Sequence, residues 1–432
     1  MNKAILRLAI PNILSNISVP LISSVDTALM GRLSEQHLGA VGIGAMVFNL
    51  IYWNFGFLRM GTTGITAQAY GAKDAQNVIH TLARAMVVVV LVAFAILLLQ
   101  NPIASLGFQF MNVPADQIVI VQSYFDIRIW AAPATLGIIA IMGWFFGMQN
   151  AIYPLIMTIF ISVVNVFFSF YFIMEMGMEA DGVAWGTVIA QYAGLLLGAC
   201  LFVYRYSNYS AHFQRKALFA VEAFKDFLLI NRDIFIRTVC LTFSFAFFYS
   251  QSAVHGSLTL AANVILLQFV NWMSYGIDGF AYAAESLVGK HAGARQTKEL
   301  QKTVRLTFFW GMAMAVGFSL LFWFFGNNLL QLFTNQEDII LTAMPFMFWV
   351  ILFPLLSTPC YLWDGIFVGL TASREMRDAM LLSIVFFIGA FYTFQRWGNN
   401  GLWASLLLFM VVRGITLWWM YNKISPPRTT RK

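Results

Sequence analysis

MVFNLIYWNFGFLRMGTTGITAQAYGAKD (46–74) lies over QFVNWMSYGIDGFAYAAESLVGKHAGARQ (268–296) at an offset of 222 residues, without a gap. Gly71, Ala72 and Lys73 meet Gly293, Ala294 and Arg295, and the same offset pairs Gly143 with Gly365 and Gly147 with Gly369. A chain that says the same thing twice over this length is built from two copies of one unit. Composition states what kind of unit it is. Of 432 residues, 60% are hydrophobic and only 10% charged, with a mean hydropathy of +0.74, more apolar surface than a soluble protein of this size can hide.

Twelve apolar runs are long enough for a helix to cross a bilayer, with cores near 8–30, 38–62, 83–106, 119–146, 152–174, 182–204, 228–252, 258–284, 306–326, 338–368, 378–395 and 400–421. Alternating ten-residue strands are absent, which argues against an outer-membrane barrel. The fold class is therefore an all-α polytopic membrane protein. Six spans per copy is an even number, so the copies share one orientation and are related by a pseudo-twofold along the membrane normal. We read 1–204 as the first lobe, 205–227 as a basic amphipathic linker on the inner surface, and 228–432 as the second lobe. Met1–Leu29 has the charge pattern of a signal peptide, but no small-x-small site closes it. The repeat supplies a matching retained helix at 228–252, so it is read as the first span.

The net charge of +7 is topological and implies no nucleic-acid partner. Placing the N-terminus inside puts 20 of the 26 Lys and Arg on inner segments, against Arg32 and Arg396 outside and Arg59, Arg128, Arg237 and Arg413 within spans. That bias orients both termini to the cytoplasm of a bacterial-type inner membrane. Cys200, Cys240 and Cys360 all fall in spans, where free thiols packed among helices are expected. The five histidines lack metal-ligand spacing and no Walker motif occurs, so neither a metal, a cofactor nor catalysis is expected.

One residue contradicts its surroundings. NISVPLISSVDTALMGR (16–32) carries Asp26 inside the first span, where a carboxylate costs about 2.5–3.5 kcal/mol on insertion scales. Asn12, Asn16, Ser23 and Asp26 trace one face, which must line protein or water. At offset 222, Asp26 faces Phe248, Tyr124 faces Phe346 and Asn165 faces Phe387, while Thr187 meets Leu406 once the shorter last hairpin is realigned. The first lobe is polar where the second is apolar. For the asparagines and the serine, interhelical hydrogen bonding is the favoured reading. An unpaired carboxylate that discharges by taking up a proton is instead suited to proton coupling. Pro20, six residues before Asp26, and Pro11, lower down, weaken the helix and are candidate hinges. In the second lobe, Asp364 in CYLWDGIFVG is the best candidate for a role, at even odds with a structural one.

VDTALMGRL, FLRMGTTGITAQAYGAKD, VAWGTVIAQY and FVGLTASREMRDAM together resemble the multidrug and toxic compound extrusion (MATE) family, and its DinF branch most. The resemblance spans essentially the whole chain. It implies a monomeric exporter of small amphipathic, often cationic compounds in exchange for H+ or Na+, and a first-lobe site of Asp26, Tyr124, Asn165 and Thr187, the positions already singled out by the repeat. Many relatives have a second acid four residues after the asparagine, where this chain has Ser169, and Asp181 reads as an outer-loop residue that does not replace it. One acid disfavours a Na+ cage and favours a proton. Na+ coupling, or export of a lipid-linked or polar metabolite, is the alternative. A channel or receptor does not call for duplicated six-helix lobes, and an enzyme needs a second catalytic group beside Asp26.

Overall fold

A computed structural model describes the backbone of residues 1–30 and 35–424, and side chains outside 19–36. It is all-helical, with no strand among the described residues. The first half contains α1 (Asn2–Met30), α2 (Glu35–Asn54), α3 (Gly56–Gly71), α4 (Ala75–Leu98), α5 (Gln100–Phe110), α6 (Ile118–Arg128), α7 (Ala132–Gly147), α8 (Ile152–Met174), α9 (Ala180–Tyr206) and the single turn α10 (Arg215–Leu218). The second contains α11 (Val221–Val254), α12 (Ser257–Gly293), α13 (Thr297–Phe333), α14 (Glu337–Ala343), α15 (Met347–Gly369), α16 (Ser373–Phe394) and α17 (Asn399–Ile424). Eleven described helical segments are long and apolar enough to cross a membrane. The 29 residues of α1 add a twelfth by length, roughly 43 Å at 1.5 Å per residue.

The repeat is visible in backbone detail. Lys73 and Arg295 both take a left-handed conformation, φ 59° and 55°, and so do Gln149 and Thr371 at 64° and 54°. Each pair is separated by 222 residues. Such angles are uncommon outside glycine, and each closes the same helix-ending motif. Asp74 N–H donates to Ala69 O and Gln296 N–H to His291 O, while Asn150 N–H donates to Phe145 O and Ala372 N–H to Phe367 O, all at 2.9–3.0 Å. The paired glycines explain the packing in between. A Cβ on Gly143 would lie 2.5 Å from Arg59 O, and one on Gly365 would press on Ala281 O, again 222 residues further on. Gly147 faces Thr63 O and Gly369 faces Glu285 O in the same register. Glycine here lets α3 seat against α7, and α12 against α15, backbone to backbone.

Two compact units result, 10–229 and 230–432 together with Met1–Ala9. Within the first, Phe48 stacks on Phe125 at 5.1 Å, Phe108 meets Phe125 edge-on, and Trp144 donates to Val78 O at 2.9 Å. The linker contains a 3-10 turn, Ser207–His212, and α10; its last residues, 221–227, already form the start of α11, where Phe227 is buried. It is held down by α4. Arg84 donates to the carbonyls of Ala217 (3.0 Å) and Leu218 (3.3 Å), and His80 Nε2 lies 3.1 Å from Gln214 O. In the second unit, Asn263 bonds Ser252, Asn399 and Trp403, a closed polar knot in an otherwise apolar core. All three thiols are free; Cys360 is buried, whereas Cys200 is exposed on the outside of α9, so the expected packing fails for that one.

Candidate functional site

Asn165 on α8 and Thr187 on α9, two of the polar positions that the repeat comparison singles out, lie within hydrogen-bonding distance. Asn165 Nδ2 donates to Thr187 Oγ1 at 3.1 Å, and Thr187 Oγ1 donates to Val183 O at 3.0 Å, one turn back. Asn165 is 7% exposed, so this bond is made in the interior of the first unit. Ser169, one turn along α8, is buried against Gly186; its Oγ has no partner among the described residues, and a Cβ on Gly186 would lie 2.5 Å from it.

Tyr124 on α6 is fully buried, its ring against Gly44 of α2. Its hydroxyl accepts from Arg128, one turn on, whose guanidinium also lies 5.0 Å above the Phe48 ring. The charge pattern places Arg128 within a span without giving it a partner. The i, i+4 spacing from Tyr124 was the signal that joins it to the site. Asp181 corrects another expectation: it lies in the first turn of α9, not in a loop, and accepts from Ser123 Oγ at 2.7 Å. A carboxylate is favoured there by the helix N-terminus.

Helix α1 reaches this unit through Ser15, whose Oγ donates to Thr158 Oγ1 on α8 at 2.9 Å. The backbone of α1 is helical through Pro11 and Pro20. Asn12, next to Pro11, is buried with Nδ2 lacking an acceptor among the described residues. The side chains of Asp26 and Pro20 lie outside the described residues.

The second unit differs at each counterpart. Phe248, Phe387 and Leu406 are completely buried; Phe248 packs edge-on to Trp403 at 5.0 Å and Phe387 against Phe409 at 5.7 Å. Phe346 is half-buried in a 3-10 turn. Asp364 on α15 is 6% exposed, and its Oδ2 accepts from both Arg237 on α11 and Arg413 on α17. Sequence reading placed these arginines in spans without giving them a partner. Together they make Asp364 the centre of a buried triad tying three helices.

These folds and sites define a duplicated membrane transporter. Residues 11–171 and 234–395 match the MatE family model, and the chain belongs to that family. It is 33% identical over 419 residues to DNA damage-inducible protein F of Escherichia coli, covering 96% of this chain and 91% of that one. Similarity to a probable multidrug resistance protein NorM of Pseudomonas putida is 26% over 436 residues, covering 96% and 93%. Among solved structures, an outward-facing multidrug resistance MATE family transporter superposes with a TM-score of 0.88 at 18% identity, covering 98% and 96%. A MATE in the bent conformation gives 0.87 at 20%, covering 98% and 95%.

Proposed function

We propose that this protein is a proton-coupled exporter of amphipathic, often cationic compounds, acting as a monomer in a bacterial inner membrane with both termini in the cytoplasm. Its relatives named for multidrug resistance support the export role. The inequality of the lobes carries the coupling assignment. Polar Tyr124, Asn165 and Thr187 are collected in the first unit, whereas Phe248 and Phe387 fill the matching places in the second and Asp364 is already held by two arginines. Ser169 stands at the place where many relatives carry a second acid, which supports a single-acid site and H+ over Na+.

In this reading Asp26 takes a proton from the outside, the hydrogen bonds of Tyr124, Asn165 and Thr187 rearrange, and α1 bends near Pro11 or Pro20 to expel the substrate. Each net charge moved adds about 2.3 kcal/mol per 100 mV. Asp26→Asn fixes the neutral form, so drug resistance should be lost at matched membrane expression. Full resistance in that variant would make Asp26 a helix staple.

A further inference from the structure

At the end of the second unit where α12 stops and α13 begins, two cavities share one wall residue, Tyr421 of α17. The larger, about 580 Å3, is an apolar groove between α13, α15 and α17. Phe308, Trp363 and Tyr421 line it as a continuous aromatic strip, with centroids 4.9 and 4.8 Å apart, and Leu356 and Ile415 stand exposed along it. The smaller, about 340 Å3, has His291, Arg295, Gln296 and Gln301 set into a wall completed by Leu300, Leu370 and Ile424. Both volumes are those of small-molecule sites.

Two buried polar atoms in these walls have no partner among the described residues: Tyr421 Oη and His291 Nε2. His291 is 7% exposed, and its Nδ1 is 3.0 Å from Gln296 Oε1, which fixes the ring and leaves Nε2 to the chamber. An unmet buried polar group costs about 1–3 kcal/mol, which a bound partner recovers. Charge selects that partner. Residues 290–305, KHAGARQTKELQKTVR, carry Lys290, Arg295, Lys298, Lys302 and Arg305 against the single acid Glu299. Arg295 is set at the mouth by its left-handed backbone.

A chamber bearing Arg295, set across Tyr421 from an aromatic groove that carries Arg305, suits a molecule with an anionic head and an apolar tail. We infer that this is a binding site for an anionic glycerophospholipid of the surrounding bilayer. Its phosphate is held by Arg295 and Tyr421 Oη, a headgroup hydroxyl donates to His291 Nε2, and an acyl chain lies along Trp363, Leu356 and Ile415. The bound lipid braces α12, α13 and α17 on the face that the charge bias assigns to the cytoplasm. This assignment is independent of the coupling ion.

The full chain, purified in mild detergent and offered phosphatidylglycerol or phosphatidylcholine, is washed and its retained lipid measured by mass spectrometry. Phosphatidylglycerol should be retained roughly tenfold better, and millimolar inorganic phosphate should not displace it. Ile415→Trp blocks the groove from an exposed position, and Arg295→Gln with Arg305→Gln removes the charge. Each should lower retention by roughly tenfold while the elution profile on gel filtration stays that of the wild type. If the charge variant fails to fold, Ile415→Trp alone decides. Equal retention of the two lipids, wild-type retention in Ile415→Trp, or displacement by phosphate overturns the site. So does a gain of binding on truncation after Ile424, which would make residues 425–432 the occupant.

Discussion

Replacing Asp364 by Asn removes the carboxylate on which Arg237 and Arg413 converge while keeping the side chain's shape. The two arginine side chains are only 11% and 1% exposed. Arg237 Nε and Arg413 Nη1 have no other partner among the described residues, so the neutral amide leaves their charge unanswered at close range. Breaking a buried ion pair by removing one partner costs about 3–5 kcal/mol. Asp278 and Glu285 also act on Arg237 through space, which places the expected loss at the lower end, about 3 kcal/mol. Replacing the whole triad (Arg237→Met, Asp364→Leu, Arg413→Met) should recover most of that loss, because apolar substitutes of similar volume are often neutral or stabilising by about 1–4 kcal/mol. Unfolding can be followed in a Cys200→Ser, Cys240→Ser background by the reaction of buried Cys360 with a thiol dye. The expected order is wild type and triple variant together, with Asp364→Asn well below. Residual transport by Asp364→Asn should keep the wild-type response to pH. Wild-type stability in Asp364→Asn would refute the triad as a structural tie.

Further outcomes follow from packing and topology. Gly365→Ala drives a methyl group into the Ala281 carbonyl and should destabilise by about 1–3 kcal/mol in thermal unfolding, whereas Gly42→Ala, with nothing within 4 Å, should be neutral or stabilise by up to about 1 kcal/mol. Arg84→Ala removes both bonds to the linker carbonyls, favouring its release by about 2 kcal/mol; trypsin should then cut after Arg215 and Lys216 roughly thirtyfold faster. A single cysteine at position 212 in a cysteine-free chain should be labelled in inverted vesicles only, and labelling in intact cells would reverse the proposed orientation.

Much of this was legible in the sequence because the duplication forces agreement between distant positions. An offset of 222 paired Gly143 with Gly365 before any coordinates, and the structure supplies the reason, since each glycine admits a backbone carbonyl from the same place in its own unit. The same offset marks Asn165 as polar where the second unit has Phe387, but does not reveal that it bonds Thr187. The triad could not be anticipated. Hydropathy sees Arg237, Asp364 and Arg413 as three separate interruptions in three spans, and no local period links residues 127 and 49 positions apart. Helix ends were also blurred. Asp181 reads as an outer-loop residue, yet it lies in the first turn of α9, where an acidic residue is favoured.

The central claim is that Asp26 in the first lobe couples export to protons. Purified protein in liposomes, with pH and Na+ gradients imposed separately, tests it most directly. Uptake of a fluorescent cationic substrate should follow the pH gradient alone in the wild type, ignore the Na+ gradient, and vanish in Asp26→Asn. Transport driven by Na+ alone, or proton-driven transport surviving in Asp26→Asn, would contradict the account.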